Sequence, residues 1–293
     1  MAKAEWKRTT ELIDAASAIL DTQQPMTIRQ LFYRLVSTGL IPNDRKHYQL
    51  VSRIMTKARD DGRIPFQYIT DRSRPAYVPN VFEDAADYAE GVRRGYRKDY
   101  WATQPNHVEI WVEKDAIIGS IEDVTDQLGV TVRVGRGFLS TTRAHEIAER
   151  FRAIDKPITV FYLGDHDPSG QAIETDLFER IQQYGSGHFE LKRLAIFKKD
   201  IADYNLPPLR IKQTDSNAAT FSKKYGNDCV ELDALPPDVL RERIKVAVEG
   251  LIDFDTWNRA KATEEVEFES IRSTVAIWQN LKTNSAEAND AGD

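Results

Sequence analysis

Apolar residues recur along this chain first with helical spacing and then, past residue 105, as short continuous runs set between helical stretches. Leu12, Ile13, Ala16, Ile19 and Leu20 share one face of a helix over about residues 4–21. After Pro25, Thr27 is placed to cap a second helix, from Ile28 to about Ser37, which Gly39 ends. Its Ile28, Leu31, Phe32, Leu35 and Val36 fall at i, i+3, i+4, i+7 and i+8, which is a single apolar stripe. Pro42-Asn43-Asp44 predicts a turn. A third helix follows from about Lys46 to Asp60, with Tyr48, Val51, Ile54, Met55 and Ala58 inward and Lys46, Arg53, Lys57 and Arg59 outward. Gly62 ends it, and Ile64–Ile69 predicts a short strand.

Helix, turn, basic helix and strand is the order of a winged helix-turn-helix, in which the third helix enters the major groove of DNA. Residues 80–103 predict a polar helical connector carrying Arg93, Arg94, Arg97 and Lys98. From 106 onward strands at 107–113, 130–134, 157–164 and 188–197 alternate with helices at 115–128, 141–154 and 169–184. Alternation at this spacing predicts βαβ units and a parallel sheet. Leu206-Pro207-Pro208 marks an irregular stretch. One helix opens at Pro236-Pro237 and runs to about Ile252, and another spans about 255–281. The last dozen residues are expected to fray. The expected segments are therefore a DNA-binding module at 1–78, a helical linker at 79–105, an α/β metal-binding domain at 106–235 and a helical extension at 236–293.

Composition narrows this picture. A single cysteine, Cys229, excludes a disulfide framework and a cysteine-based zinc site. No apolar run approaches the ~18 residues of a membrane span, and MAKAEWKRTT has no signal-peptide core. The expected location is cytoplasmic. The formal net charge is −6, but the distribution matters more than the total. From Arg29 to Arg74 ten Lys and Arg face four acids, whereas from Asp228 onward fifteen acids face seven bases. A basic module on an otherwise acidic chain is the footprint of a phosphate-backbone binder, although a solvated charged face fits the charge alone equally well.

Two apolar β-branched runs end in acid. Val108-Glu-Ile-Trp-Val leads to Glu113-Lys114, and Ile158-Thr-Val-Phe-Tyr-Leu-Gly leads to Asp165-His-Asp167-Pro168-Ser-Gly170. In open α/β sheets the carboxyl ends of the strands are where sites are built. Glu113, Asp165 and Asp167 converging there form an oxygen-rich set suited to Mg²⁺, the usual equipment of phosphoryl transfer. Taken alone, Asp-His-Asp-Pro-Ser-Gly also reads as turn formers, and the matching Glu113 is what favours a site. Gly135-Arg136-Gly137 has neither Walker nor dinucleotide spacing, which excludes a P-loop ATPase.

Tyr33 lies about 130° from the centre of the second helix's apolar stripe and is expected to face outward or toward a partner. Arg29 precedes it by one turn on nearly the same face. An exposed structural tyrosine is the plain reading. A nucleophile assisted by the guanidinium is the other. Arg143 follows Ser140-Thr-Thr at a helix start, where Arg and the helix terminus both suit phosphate. Glu231-Leu-Asp233 either approaches the site or only precedes the Pro-Pro helix start, with a structural role favoured over metal binding.

Glu113-Lys114 with Asp165-x-Asp167-Pro168-x-Gly170 resembles the Toprim domain of the topoisomerase VI A subunit and its meiotic double-strand-break relatives. Arg29-Gln-Leu-Phe-Tyr33 is similar to that family's catalytic-tyrosine helix. Gly135-Arg-Gly137-Phe-x-Ser-x-x-Arg143 resembles its Gly-rich strand end and Arg-led helix. The similarity covers roughly residues 25–200. Ser169 stands where the family often has an aromatic, and Cys229–Leu235 is not mapped onto its pattern. The resemblance implies an α/β protein with a winged helix-turn-helix, a Toprim-type sheet domain and a helical C-terminal extension. It implies type IIB, A-subunit-like cleavage of double-stranded DNA, in which Tyr33 forms a 5′-phosphotyrosyl link. Glu113, Asp165 and Asp167 would hold Mg²⁺, and Glu113 would also act as acid or base. Arg34, Lys46, Arg53, Lys57, Arg59 and Arg143 are the expected DNA contacts. The family pattern further implies a homodimer, with the tyrosine of one protomer serving the other, and a nucleoid-associated location. Whether a GHKL-type ATPase partner takes part stays open. A Toprim nuclease using metal-activated water and a non-catalytic DNA-binding module are the alternatives.

Overall fold

The computed structural model describes residues 2–70, 79–135, 137–185, 189–211 and 215–290. Three helices come first: α1 (Ala2–Gln23), α2 (Ile28–Ser37) and α3 (Arg45–Asp60). The expected cap of α2 is present as a reciprocal pair. Thr27 Oγ1 accepts from the Gln30 backbone N–H, and Gln30 Oε1 accepts from the Thr27 N–H at 2.8 Å. Asp44 caps α3 by a one-way bond, its side chain accepting from the His47 N–H. Leu12, Ala16, Leu20, Leu31, Leu35, Val51 and Met55 close the core among the three helices.

The strand expected at Ile64–Ile69 is not formed. Pro65 carries no N–H for a ladder, and Phe66–Tyr68 winds into a 3-10 turn that leaves one parallel bridge, Met26 to Ile69. Arg72 and Arg74 lie outside the described residues.

The chain continues with α4 (Ala85–Gly95), β1 (His107–Val112), α5 (Ile118–Gln127), β2 (Thr131–Val134), α6 (Thr141–Arg152), β3 (Ile158–Leu163), α7 (Pro168–Gln183) and β4 (Phe189–Ala195). The sheet is parallel throughout, in the order β2-β1-β3-β4. The order reverses between β1 and β3, which makes their carboxyl ends the switch point of the sheet. Both central strands are buried along almost their whole length, as their continuous apolar runs require. α6 and α7 cover one face, where Ala148, Phe151, Leu177 and Ile181 pack on Trp111, Val160 and Tyr162.

After β4 come α8 (Asp200–Asp203), β5 (Leu209–Arg210), α9 (Ala218–Tyr225), β6 (Asp228–Cys229), α10 (Pro237–Glu249) and α11 (Phe254–Asp290). The irregular stretch at Leu206 thus leads into a small antiparallel β5-β6 pair around α9. α11 does not fray at the expected place. It continues to Asp290, because no Gly or Pro interrupts it before Gly292.

The chain forms two compact units. The first comprises residues 1–74 and 106–251. There the N-terminal helices are fastened to the sheet segment by Gln30, whose amide donates to Ser120 Oγ at 3.2 Å, and by Arg241, whose guanidinium donates to the carbonyls of Ser120, Gln24 and Pro25. The second comprises residues 75–105 and 252–293. Within it α4 lies along α11, with Lys98 paired to Glu267 at 2.9 Å, Trp101 set edge-on and Tyr100 tilted against Trp257. These units do not coincide with the four segments expected from the sequence: connector and C-terminal helix belong together, and α10 belongs with the sheet. Among the described residues no helix is long and apolar enough to cross a membrane.

Candidate active site

β1 and β3 end side by side, their register held by Glu113 N–H donating to the Leu163 carbonyl at 2.9 Å. Glu113 follows β1 and Asp165 follows β3, and the two meet directly: the Asp165 N–H donates to Glu113 Oε2 at 2.9 Å. Asp167 starts α7. Its Oδ1 accepts from the Gly170 N–H at 2.6 Å, which fixes the side chain against the first turn. The three acids expected from the sequence therefore share one sheet edge.

The chain returns to this edge through a segment the sequence reading set aside. His166 and Val230 exchange backbone hydrogen bonds of 2.9 and 3.0 Å, and the Leu232 N–H donates to Asp165 Oδ1 at 2.8 Å. That bridge carries Glu231 and Asp233 up to the acids. Lys114 stands among them, with Nζ 2.7 Å from Asp165 Oδ2, 3.5 Å from Glu231 Oε2 and 3.6 Å from Asp233 Oδ2. Asp233 is 1% exposed, and neither of its carboxylate oxygens has a hydrogen-bond partner. Ser169 Oγ donates to Asp215 Oδ2 at 2.9 Å, which adds a further acid beside Asp167. Asp215 is what the sequence reading missed; it names Lys114 only as part of the Glu113-Lys114 motif, and it weighs Glu231 and Asp233 but favours them as structural. A signal for the last two was available. Val230-Glu-Leu-Asp-Ala-Leu235 interleaves acids with buried apolar residues, so that the chain packs there while carrying carboxylates.

Glu231 also reaches the tyrosine helix. Its carboxylate takes the Arg29 guanidinium as a fork, with Nε to Oε2 at 2.9 Å and NH2 to Oε1 at 3.2 Å. Arg34 donates to the Ala234 carbonyl. Tyr33 is then enclosed at 4% exposure, with its ring tilted against Phe32 at 5.3 Å between centroids. Of the expected directions, outward or toward a partner, the outward one is corrected: Tyr33 is buried against another segment of its own chain. It does lie off the stripe that α1 and α3 cover, but the 3-10 turn Leu232–Ala234 packs on that side of α2. Arg34, an expected DNA contact, is likewise turned to an internal carbonyl.

Electrostatics follow from this crowding. Burial, and next the charge of Asp165, pushes the Glu113 carboxyl up to about 7. Burial also raises Asp167 and Asp233. Burial and then Glu231 push the Tyr33 phenol up to about 12, against the pull of Arg29, which hydrogen-bonds it. Burial disfavours the charged form of Lys114, but Asp165, Asp233 and Glu231 outweigh it and the ammonium is held above its ordinary value. His166, between the two aspartates, is pushed down to about 4 by burial and by Arg193, and its ring rests on Phe221 and Tyr225. Both effects favour the neutral imidazole, whose Nε2 is buried without a hydrogen-bond partner.

The remaining expected residues are dispersed. Lys46, Arg53 and Lys57 are exposed on α3. Arg53, Lys57 and Arg63 line a groove of about 480 Å³ between α1 and α3. Arg59 is half-buried over the Phe66 ring and donates to the Met55 carbonyl. Arg143 is exposed at the start of α6 and pairs with Glu146 at 2.9 Å. A cavity of about 930 Å³ lies at the opposite edge, by Ile158 and Phe189 at the strand starts, away from the acids.

The donor set suits a hard divalent cation: every candidate ligand is a carboxylate, and their mutual repulsion calls for positive charge. As the side chains stand, Lys114 supplies that charge, and among the described residues no group of three or more His, Cys, Asp or Glu is set to hold a metal ion. Fold and site together define an α/β protein with a parallel sheet whose acid-lined switch point is joined to a basic helical module. No family model matches the chain, and no curated protein matches it.

Proposed function

We propose that this protein is a Mg²⁺-dependent DNA-cleaving transesterase of the topoisomerase VI A type, built from a winged-helix-like N-terminal module and a Toprim-like sheet. One observation carries the reading: a chain of ion pairs runs from Arg29 of α2 through Glu231 and Lys114 to Asp165, whose N–H donates to Glu113, and Arg29 hydrogen-bonds the neighbouring Tyr33 phenol. A phenol, a guanidinium, an ammonium and carboxylates gathered at a switch point match the needs of attack on a phosphodiester. In that reaction the Tyr33 oxygen bonds to phosphorus, the bond from phosphorus to the 3′ oxygen breaks, the phenolic proton leaves and the 3′ oxygen gains one. Arg29 and Lys114 would neutralise charge on the phosphate, and the Glu113 carboxyl, raised by burial, suits exchange of a proton with the leaving oxygen. Glu113, Asp165 and Asp167 would hold Mg²⁺, which would supply further charge neutralisation. Exposed Lys46, Arg53 and Lys57 would lie against the DNA backbone, and a homodimer associated with the nucleoid goes with this reading.

The test is a denaturing gel of labelled duplex DNA incubated with protein and Mg²⁺. Label migrating with the wild-type protein and lost in Tyr33→Phe is the expected result. A second reading is favoured by the enclosure of Tyr33 and its raised phenol: hydrolysis by a metal-activated water with no covalent link. In that case Tyr33→Phe cuts as well as wild type, while Glu113→Ala and Asp165→Ala do not.

A further inference from the structure

The ion pair beside Tyr33 has the form of a bound phosphate. Glu231 presents two oxygens to the Arg29 fork, at 2.9 and 3.2 Å, and one of them also lies 3.5 Å from Lys114 Nζ. An anion gripped by a guanidinium fork and an ammonium, beside a phenol, is the arrangement a tetrahedral oxyanion takes at Arg and Lys. The occupant is not a deeply committed core group. The Glu231 side chain is 21% exposed and that of Arg29 is 49% exposed, so both are open to competition from outside. Glu231 also has like-charged neighbours, since Asp165 and Asp233 approach the same ammonium.

We infer that Arg29 and Lys114 form a phosphodiester subsite which, in the protein alone, is filled by the carboxylate of Glu231. A DNA phosphate displaces that carboxylate and comes to lie beside the Tyr33 phenol, while the buried turn Leu232–Ala234 stays in place. The inference rests on the DNA-cleaving reading and adds to it the residue that competes with substrate.

It is tested without cleavage, by binding of short mixed-sequence duplex DNA in the absence of divalent metal. Wild type, Glu231→Gln, Arg29→Gln and the double variant are compared over a range of salt. Glu231→Gln is close in shape to the native residue, and circular dichroism checks the fold. Glu231→Ala repeats the test with no amide left to hold Arg29. Removing the competing carboxylate is expected to tighten binding about two- to fivefold, the worth of one solvent-facing ion pair. It should also steepen the salt dependence by about one phosphate contact. In the Arg29→Gln background the same change should bring no gain, because the carboxylate then has no fork to vacate. A gain of equal size in both backgrounds would mean that Glu231 acts only through its general charge, and would overturn the inference. So would binding that is unchanged or weaker in both Glu231 variants. A wild-type protein that cleaves DNA but shows no such coupling keeps the functional reading and loses this one, whereas absence of any duplex binding removes both.

Discussion

At Gly170 the site leaves room for a hydrogen and nothing more. A Cβ there would stand 2.6 Å from the Asp165 carbonyl oxygen and 3.2 Å from Asp167 Oδ1. The first of these is backbone and cannot swing away. Gly170→Ala is therefore expected to cost about 1–3 kcal/mol in urea unfolding, the usual range for forcing a group into packed space. It should also lower the proposed Mg²⁺-dependent cleavage by displacing both aspartates, with Ser169→Ala as the folded control. Stability equal to wild type would show that the α7 turn relaxes freely. Gly164 is tight for a related reason, its Cβ position lying 2.4 Å from the Tyr162 ring and 2.9 Å from Glu113 Oε2. The sequence shows Gly170 as a turn former after Asp-x-Asp, but the close approach that demands it exists only once α7 docks on the β3 end. Tyr33 is the converse case. Its angle on the helix was legible, yet burial depends on residues two hundred positions away.

Among the elements, β1 carries a buried charge that periodicity does not reveal. Glu109 is 1% exposed in the middle of the strand. It accepts from Arg133 Nε at 2.8 Å, Arg150 NH2 at 2.9 Å and Trp111 Nε1 at 2.8 Å. Burial opposes its ionisation, but the hydrogen bonds of His107 and Trp111 and the charge of Arg133 outweigh that and hold its carboxyl below the ordinary glutamate value. A carboxyl lowered in the folded state contributes stability that is present above its unfolded value of about 4.5 and is lost as pH falls through the folded value. Wild type should thus lose stability below about pH 4.5 faster than Glu109→Gln. At neutral pH Glu109→Gln should be less stable by about 1–3 kcal/mol, because charged hydrogen bonds are lost. Parallel acid-melting curves for the two proteins would refute the assignment. In α2 the capping pair predicts that Thr27→Ala costs about 1 kcal/mol in thermal unfolding. The boundaries of α2, α3, β1 and β3 were readable because each has its own cap or period. The turn at Phe66–Tyr68 was not, since Ile64-Pro-Phe-Gln-Tyr-Ile69 has strand composition and only Pro65 argues against it.

For the molecule as a whole, the acidic total charge and the exposed bases of α3 make opposite forecasts about DNA. On the proposed reading local charge governs, because contacts beyond about 8–10 Å are screened at physiological salt. Replacing Lys46, Arg53 or Lys57 by Gln should weaken duplex binding to a similar extent across DNA sequences. Each change should reduce the salt dependence by about one contact. A loss confined to one DNA sequence would instead assign that side chain to a base edge. Arg34→Gln should leave the salt dependence alone, since its guanidinium is engaged with the Ala234 carbonyl. The grouping of residues 75–105 with 252–293 was beyond sequence reading, because Tyr96, Lys98 and Tyr100 meet Glu264 and Glu267 across more than 160 positions.

By itself the sequence determined the alternation of strands and helices, the parallel sheet and the acids at its edge. Each of those follows from a local period or from what ends a strand. Only the tertiary structure decided that Glu231 and Asp233 reach those acids, that Lys114 stands between them and that Tyr33 is enclosed. Those facts depend on the His166–Val230 bridge folding a distant segment back onto β3 and α2, and a contact between remote segments leaves no period in the chain.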